Sequence, residues 1–268
     1  MPFGLLNLQN KEGMPMIYDL QRASMWKRIS AWLLDAILLC IVATLMAFLL
    51  SAVLNYDGYS DQLDARYAYY EEQYGVTRNL TQAQLDAMSP EELANVEAAS
   101  KAISEDEEAL YAYNMMLQLI ILMTSLGILL AYIILEFTIP MVLGNGQTIG
   151  KKVFGLGVMQ QNGVRVNGVG MFIRTVLGKY AIETMIPVMM VLMLFFGAVG
   201  EVGWLIVGAI GLAQIVLLVT TKERCMIHDK LAGTVAIDFA SQMIFKTQED
   251  MIAYKQKVAA EKAANQVY

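Results

Sequence analysis

Long apolar runs alternate with polar segments along the chain, and four of the runs are long enough to cross a bilayer. A helix needs about 20 predominantly apolar residues to span the hydrocarbon core. The runs are Ile29–Leu54, about Met115–Leu143, about Tyr180–Val199 and about Gly203–Thr220. The pattern predicts an all-α polytopic membrane protein with four transmembrane helices, and the mean hydropathy of +0.47 agrees with that class.

The polar segment between the first two runs, residues 55–114, predicts a helical extracytoplasmic insertion. Ser89 precedes Pro90 and two acidic residues, which is the order of a helix start: an N-cap, proline in the first turn, and acids near the positive end of the helix dipole. Ser104 begins a second start of the same kind, which leads into the second transmembrane helix. The segment holds 13 acidic and three basic residues of the chain.

Charge asymmetry orients the predicted helices. The insertion has a net charge of −10, whereas the whole chain has −6, so the remainder is positive. Basic residues flank the first run, the connection between the second and third runs, and the end of the fourth. Because basic loops stay in the cytoplasm, we expect both termini to be cytoplasmic and the insertion to lie outside.

The connection between the second and third runs has a different period. Short Val- and Gly-rich stretches flank Asn162-Gly163, and Asn-Gly between apolar stretches is a strong hairpin signal. We therefore expect a small cytoplasmic β-hairpin within a membrane domain that covers residues 22–238. The remaining residues, 239–268, predict a cytoplasmic helical tail.

Asp35 lies within the first apolar run, where an ionised carboxylate costs roughly 2.5–3.5 kcal/mol on insertion scales. Arg28 lies seven residues earlier, so both share a helix face about 10.5 Å apart. We expect Arg28 to extend toward the cytosol and Asp35 to contact a base of the third helix, Arg174. These charges either orient the bundle or form part of a functional site.

Further charged residues fall near the same ends of the predicted helices. Glu136 and Glu183 lie in the second and third runs, and His228-Asp229 follows the fourth. Glu183 could pair with Lys179 four residues earlier. His228 could relay protons or cap a helix, and we favour the cap. Together these residues predict a charged cluster, either an ion or proton path or a static ion-pair network.

Several other functions lack support. The segment Gly146–Lys152 resembles a phosphate loop, but it has three rather than four residues between its glycines, and Lys152 stands where Ser or Thr would bind magnesium. The single His and two distant Cys offer no zinc spacing, so we expect no metal or cofactor. No enzyme is expected because the helices carry no Ser/Lys, Asp/Asp or metal constellation, and no nucleic-acid partner is expected.

The order of these motifs resembles the RDD family, named for one Arg and two Asp. Arg28 to Asp35 is similar to its first helix, and Thr148 to Leu156 to its Gly-Lys segment. Arg174 resembles the Arg that opens the next helix, and Ile227 to Val235 the closing motif, with Asp229 as the second Asp. The chain differs by Ile149 where Pro is usual and by its long insertion.

The resemblance implies a multi-pass protein of the bacterial cytoplasmic membrane. It implies two open hypotheses, since some members are proposed to exchange sodium for protons and others to regulate membrane partners. One is a small-ligand or cation/proton transporter that uses the charged cluster, at least dimeric because four helices are few for a transport path. The other is a non-catalytic scaffold or regulator that binds a membrane-protein partner through residues 55–114.

Overall fold

The computed structural model describes residues 18–265. Within them, four helical segments are long and apolar enough to cross a membrane, which confirms the predicted class. Spans one to four are Met25–Val53, Glu107–Leu143, Gly168–Phe195 and Gly200–Thr220. Span three begins about a turn before Arg174, earlier than the apolar run indicates, because its charged residues lower the local hydropathy without ending the helix.

Two of the spans change their winding. Span one is a single helix, α1 (Met25–Val53), and span four is also one helix. Span two consists of α5 (Glu107–Tyr132), a π-helical segment Ile133–Thr138, and α6 (Ile139–Leu143). Span three consists of α8 (Gly168–Phe172), a π-helical segment Ile173–Met185, and α9 (Ile186–Phe195).

The described chain divides into two compact units. The first unit comprises the described residues up to Val42 and those from Ile128 onward, and the second is Ala43–Gly127. Span four is α10 (Gly200–Thr220). In addition to span segments, the first unit contains α7 (Ile149–Val153), β1 (Leu156–Gln160), α11 (Ile227–Ala232), β2 (Thr234–Asp238) and α12 (Gln248–Asn265).

The expected small antiparallel sheet is confirmed, but its main strand partner differs from the expected one. β1 pairs with β2, from Leu156 opposite Asp238 to Gln160 opposite Thr234. Asn162 and Gly163 do form a turn, and Gly163 N–H donates to the Gln160 carbonyl at 2.9 Å. After the turn only a single bridge, Met159 to Arg165, joins the two arms. The closing segment of the chain takes the position that the hairpin arm was expected to fill.

The helical tail packs on this part of the first unit. α12 contributes Met251 to a cluster with Val164, Met243 and Phe245, and Tyr254 packs against the same cluster. The final residues of the predicted tail, 266–268, lie outside the described residues. Apolar contacts of Met243, Phe245, Met251 and Tyr254 therefore attach the first part of the tail.

The second unit holds three insertion helices, α2 (Tyr56–Tyr74), α3 (Gln82–Asp86) and α4 (Pro90–Glu105). The start at Ser89 is confirmed, since its hydroxyl accepts a hydrogen bond from Glu92 N–H while the Glu92 carboxylate accepts from Ser89 N–H at 2.7 Å. The start at Ser104 is wrong by two residues. Asp106 separates α4 from α5, and its carboxylate accepts the Ala109 N–H at 2.7 Å.

Candidate functional site

The π-helical winding of span three places three charged side chains on one cavity wall: Arg174, Lys179 and Glu183. In an α-helix of about 3.6 residues per turn, nine residues would put Arg174 and Glu183 on opposite faces. A π-helix bonds residue i to residue i+5 and is wound more widely, so nine residues make about two turns. This winding is rare and frequent at functional sites, and here it aligns charges that an α-helix would separate.

Span two supplies Glu136 from its own π-helical segment, and the side chain is buried. The Lys179 ammonium lies 2.7 Å from the Glu136 carboxylate. The Glu136 backbone carbonyl accepts a hydrogen bond from the Thr175 hydroxyl at 2.9 Å, so two contacts fix spans two and three together. The expected pair of Lys179 with Glu183 is therefore wrong, because Lys179 is taken by Glu136.

Asp35 binds the start of α7 rather than Arg174, so the expected pair of those residues is wrong. The Asp35 carboxylate accepts from the Thr148 hydroxyl at 2.5 Å and from Gly150 N–H at 2.7 Å. Lys151 Nζ lies farther away, 3.9 Å from the same carboxylate. A Cβ at Gly150 would clash with the Ala31 carbonyl of α1 and would lie 2.8 Å from the Asp35 carboxylate, which explains the glycine here. Asp35 thus joins span one to the Gly-Lys segment.

Arg174 is instead buried beside Asp229, and the two form an ion pair. The same guanidinium Nη1 donates to the Thr234 hydroxyl at 2.5 Å. Asp229 also caps α11, because its other carboxylate oxygen accepts Met226 N–H at 3.1 Å. One carboxylate thereby connects span three, α11 and the start of β2.

Arg28 points toward this cluster as well as toward the chain after span four. Its Nη1 donates to the Arg224 carbonyl at 2.6 Å, and its Nη2 lies 3.6 Å from the Asp229 carboxylate. The expected direction, away from Asp35, agrees with these contacts. Arg28 and Asp229 therefore share one network with Arg174, whereas Asp35 belongs to a second group of contacts with α7, Lys151 and Glu136.

His228 contacts span three rather than capping α11, the role that Asp229 has. His228 N–H donates to the Glu183 carboxylate at 2.8 Å, and its ring Nδ1 lies 2.7 Å from the same group. Gly178 allows this close approach, since a Cβ there would lie 2.5 Å from the His228 Cβ. Gln214 of span four accepts Ile227 N–H at 3.1 Å, which fixes the start of α11 against that span.

Burial and neighbouring charges shift the pKa values of three ionisable groups that lie outside the spans. Burial and the nearby Lys179 charge lower the pKa of Lys151 to about 8, although Glu136 and Asp35 oppose the shift. Burial and the Arg174 charge lower the pKa of His228. Burial alone would raise the pKa of Asp229, but Arg174, His228 and Arg28 together outweigh it and hold that pKa below its usual value. Lys151 is therefore a group that can lose its proton near neutral pH.

These residues surround one cavity of about 600 Å³ in the first unit. The acidic residues in its wall are Asp35, Glu136 and Glu183, and the basic ones are Arg28, Lys151, Arg174 and Lys179. His228 also lines it, whereas Asp229 lies behind Arg174 and is fully buried. The predicted site residues are thus brought together around a common space.

Other wall residues were not predicted as site residues. Lys151 is one of them, and it belongs with Thr148 to the Gly-Lys segment, whose position beside Asp35 no local spacing reveals. Tyr132 lines the cavity, and its hydroxyl is 2.8 Å from the Thr184 hydroxyl of span three. Across residues 18–265, no group of His, Cys, Asp and Glu side chains is arranged to hold a metal ion. The polar wall is built of ion pairs and hydrogen bonds.

Comparison with known proteins gives one positive result. The RDD family model matches residues 22–233, which is most of the chain. No curated protein and no solved structure gives a significant match. The matched residues include Arg28 and Asp35, which line the cavity, and Asp229, which lies behind Arg174. The chain is a membrane protein that belongs to the RDD family.

Proposed function

We propose that the protein is a secondary transporter that moves a small ligand or cation coupled to protons through the cavity of the first unit. The observation that supports this proposal is the row of charged side chains in the cavity wall, from Asp35 through Lys151 and Glu136 to Lys179. Lys151 Nζ lies 3.9 Å from both carboxylates, and Lys179 lies 2.7 Å from Glu136. Ionisable groups inside membrane spans mark substrate and proton paths.

Lys151 is the proposed proton-exchanging group. It is surrounded by charges of three spans: Asp35 of span one, Glu136 of span two, and Arg174 and Lys179 of span three. Its lowered pKa, about 8, allows it to gain and lose a proton near neutrality. When Lys151 is neutral, Asp35 and Glu136 lose the cation between them, so the affinity of the cavity for charged ligands changes.

The proposed setting is the bacterial cytoplasmic membrane, with both termini inside and residues 55–114 outside. The charge distribution supports it, since the insertion has 13 acids and the flanks of the spans hold most of the bases. Replacing both native cysteines and placing one Cys at position 86 tests the orientation. A membrane-impermeant thiol reagent should label it from outside, and labelling only from inside would overturn the arrangement.

Flux in proteoliposomes tests the transport proposal. Vesicles with a pH-sensitive dye inside receive a gradient of Na⁺, K⁺, Li⁺ or a carboxylate, and wild type should move protons in response to at least one of them. Asp35→Asn should reduce the rate at least about tenfold, the equivalent of one lost charged hydrogen bond. Asp61→Asn is the matched control, since Asp61 is exposed in α2 and should leave the rate unchanged.

The pH profile tests the role of Lys151. Wild-type flux should change most steeply near pH 8, where Lys151 exchanges its proton. Lys151→Arg keeps the positive charge at all these pH values and should flatten that step. The same step in both proteins would assign proton exchange to another group.

A scaffold or regulator is the second candidate, favoured by the exposed acids of the second unit. Among them are Asp57, Asp61, Glu72, Asp86, Glu91, Glu97 and Glu107. Such a surface suits a basic partner. Deletion of Asp61–Ala102 separates the two candidates: a transporter should keep its flux without the insertion, whereas no flux in wild type under any gradient would favour the scaffold.

A further inference from the structure

The size and lining of the cavity indicate an organic ligand rather than a bare ion. Its volume is about 600 Å³, within the roughly 300–1,000 Å³ of pockets that hold organic molecules. One water occupies about 30 Å³ of liquid, so a small ion with a few waters would leave most of this space unfilled. The ligand should therefore have a bulky organic part as well as a charged group.

One wall of the cavity has an apolar surface that suits the organic part of the ligand. Ile29, Trp32, Ala36 and Leu39 of α1 line the cavity at helical spacing, and Leu218 of span four lines it as well. Ten residues of helix make this strip about 15 Å long. Trp32 is 62% exposed, so the strip is open to the lipid-facing surface of span one. An apolar chain can therefore reach the cavity from the bilayer.

The polar wall has N–H donors to spare. Arg174 uses Nη1 alone for Asp229 and Thr234, and no described residue accepts from its Nε or Nη2. Lys179 has one described partner, Glu136, although an ammonium has three donors.

Acceptors in the same wall are more fully occupied. Both oxygens of Asp35 accept hydrogen bonds, and both oxygens of Glu183 lie within 2.9 Å of the His228 ring nitrogen. A carboxylate or phosphate is the group that takes Arg and Lys donors best.

We infer that the cavity binds an amphiphilic anion, with its carboxylate or phosphate against Arg174 and Lys179 and its apolar chain along the α1 strip. The inference rests on the proposed function for the view that this ligand is moved. An incoming anion adds one negative charge beside Lys179. One proton taken up by neutral Lys151, which lies 3.9 Å from the Glu136 carboxylate that holds Lys179, restores the charge balance, so anion and proton enter together.

Fluorescence quenching tests the site directly. The double variant Trp26→Phe, Trp204→Phe leaves Trp32 as the one tryptophan. In phosphatidylcholine nanodiscs, 9,10-dibromostearate should quench Trp32 in a saturable manner. Its methyl ester is the neutral match and should give only weak, non-saturating quenching. Equal quenching by the acid and the ester would overturn the inference, because the charged wall would then have no role.

A second arm identifies the source of the anion. Phosphatidic acid with brominated chains is compared with dibromostearate, and brominated phosphatidylcholine is the background. Saturable quenching by phosphatidic acid alone assigns a lipid headgroup, and by dibromostearate alone a free fatty acid. Either result supports an amphiphilic anion, whereas neither probe saturating overturns it.

The same assay locates the headgroup. Lys179→Gln should weaken dibromostearate binding about tenfold or more, the loss of one charged hydrogen bond. Lys222→Gln, at an exposed lysine, should leave binding unchanged. Lys179→Arg keeps the charge and should bind within a few-fold of wild type, which separates a lost contact from misfolding. Unchanged binding in Lys179→Gln would overturn the placement.

Failure of this inference can be told from failure of the proposed function. Saturable binding of dibromostearate without flux in proteoliposomes keeps the binding site and removes transport. Flux of an inorganic cation without saturable binding of either dibromostearate or brominated phosphatidic acid keeps transport and removes the amphiphilic ligand.

Discussion

Arg174–Asp229 and Arg78–Asp64 are the same pair of residue types in two different environments. The first lies in the first unit, where the side chains are 4% and 1% exposed. The second lies in the second unit, where they are 38% and 60% exposed. Water can replace either partner of the second pair but neither partner of the first. The comparison teaches that a short contact alone does not measure what an ion pair contributes.

A third pair, Arg66–Asp106, falls between these extremes, at 28% and 6% exposed. Asp106 also accepts hydrogen bonds from the Tyr70 hydroxyl at 2.8 Å and from Ala109 N–H at 2.7 Å. The Arg66 and Ala109 hydrogen bonds lower the pKa of Asp106 to about 2. Asp106 therefore stabilises the second unit through several hydrogen-bond donors that meet at its carboxylate, at the start of α5.

The largest expected effect is at the buried pair. Arg174→Gln and Asp229→Asn should each lower the free energy of unfolding by about 3–5 kcal/mol, because each leaves an unpaired buried charge. The double variant should lose much less than the sum. Denaturant titration in detergent micelles measures all three, and additive losses would mean that the two side chains do not stabilise each other.

Gly150, where α7 approaches α1 closely, allows a test that changes the packing but no charge. Gly150→Ala should cost about 1–3 kcal/mol, because its Cβ would clash with the Ala31 carbonyl of α1 and would lie 2.8 Å from the Asp35 carboxylate. Gly208→Ala is the control, since nothing lies within 4 Å of a Cβ there. The same micelle titration should show no loss in the control, and equal stability of both variants would contradict the close approach of α7 to α1 at Ala31 and Asp35.

The intermediate pair should give a smaller effect. Asp106→Ala removes the cap of α5 and should cost about 1 kcal/mol. The pKa of Asp106 is lowered from 3.8 to about 2, so its contribution is complete above about pH 4 and is lost as pH falls through 2. Wild-type stability should therefore fall more than that of Asp106→Ala across this acid range. Parallel curves would show that Asp106 is not ionised at the cap.

The smallest effect is expected at the exposed pair. Arg78→Gln should leave the melting temperature of the protein in detergent unchanged within error, since both side chains remain solvated. Asp64→Asn should behave likewise, and added salt should not alter either result. A loss as large as that of Arg174→Gln would break the comparison and would show that this surface is covered by another part of the assembly.

The coarse architecture followed from local signals. Long apolar runs predicted the four spans, and Ser89 with Pro90 predicted the start of α4, because hydropathy and capping depend on neighbouring residues. Asp35 was singled out by its position alone, since a carboxylate in an apolar helix needs a partner. The ordered motifs also indicated the family that the family model matches.

Partners and directions were decided by the tertiary structure. Asp35 binds Thr148, the N-cap of α7, and Gly150 within α7, both more than a hundred positions away, and Arg174 pairs with Asp229. The strand that pairs with β1 is likewise far along the chain, since it is β2. Local spacing favoured Asn162-Gly163 and its neighbouring arm, but the closing segment offered a longer pairing.

By itself, the sequence determined the class, the number of spans, the family and the charges that had to be paired, because each depends on composition and order along the chain. The tertiary structure alone decided which charge meets which. The π-helical winding of span three shows why: Arg174 and Glu183 share a face only when the helix is wound more widely than an α-helix. Packing against Glu136, His228 and Asp229 accompanies that winding, and such long-range contacts leave no periodic mark in the sequence.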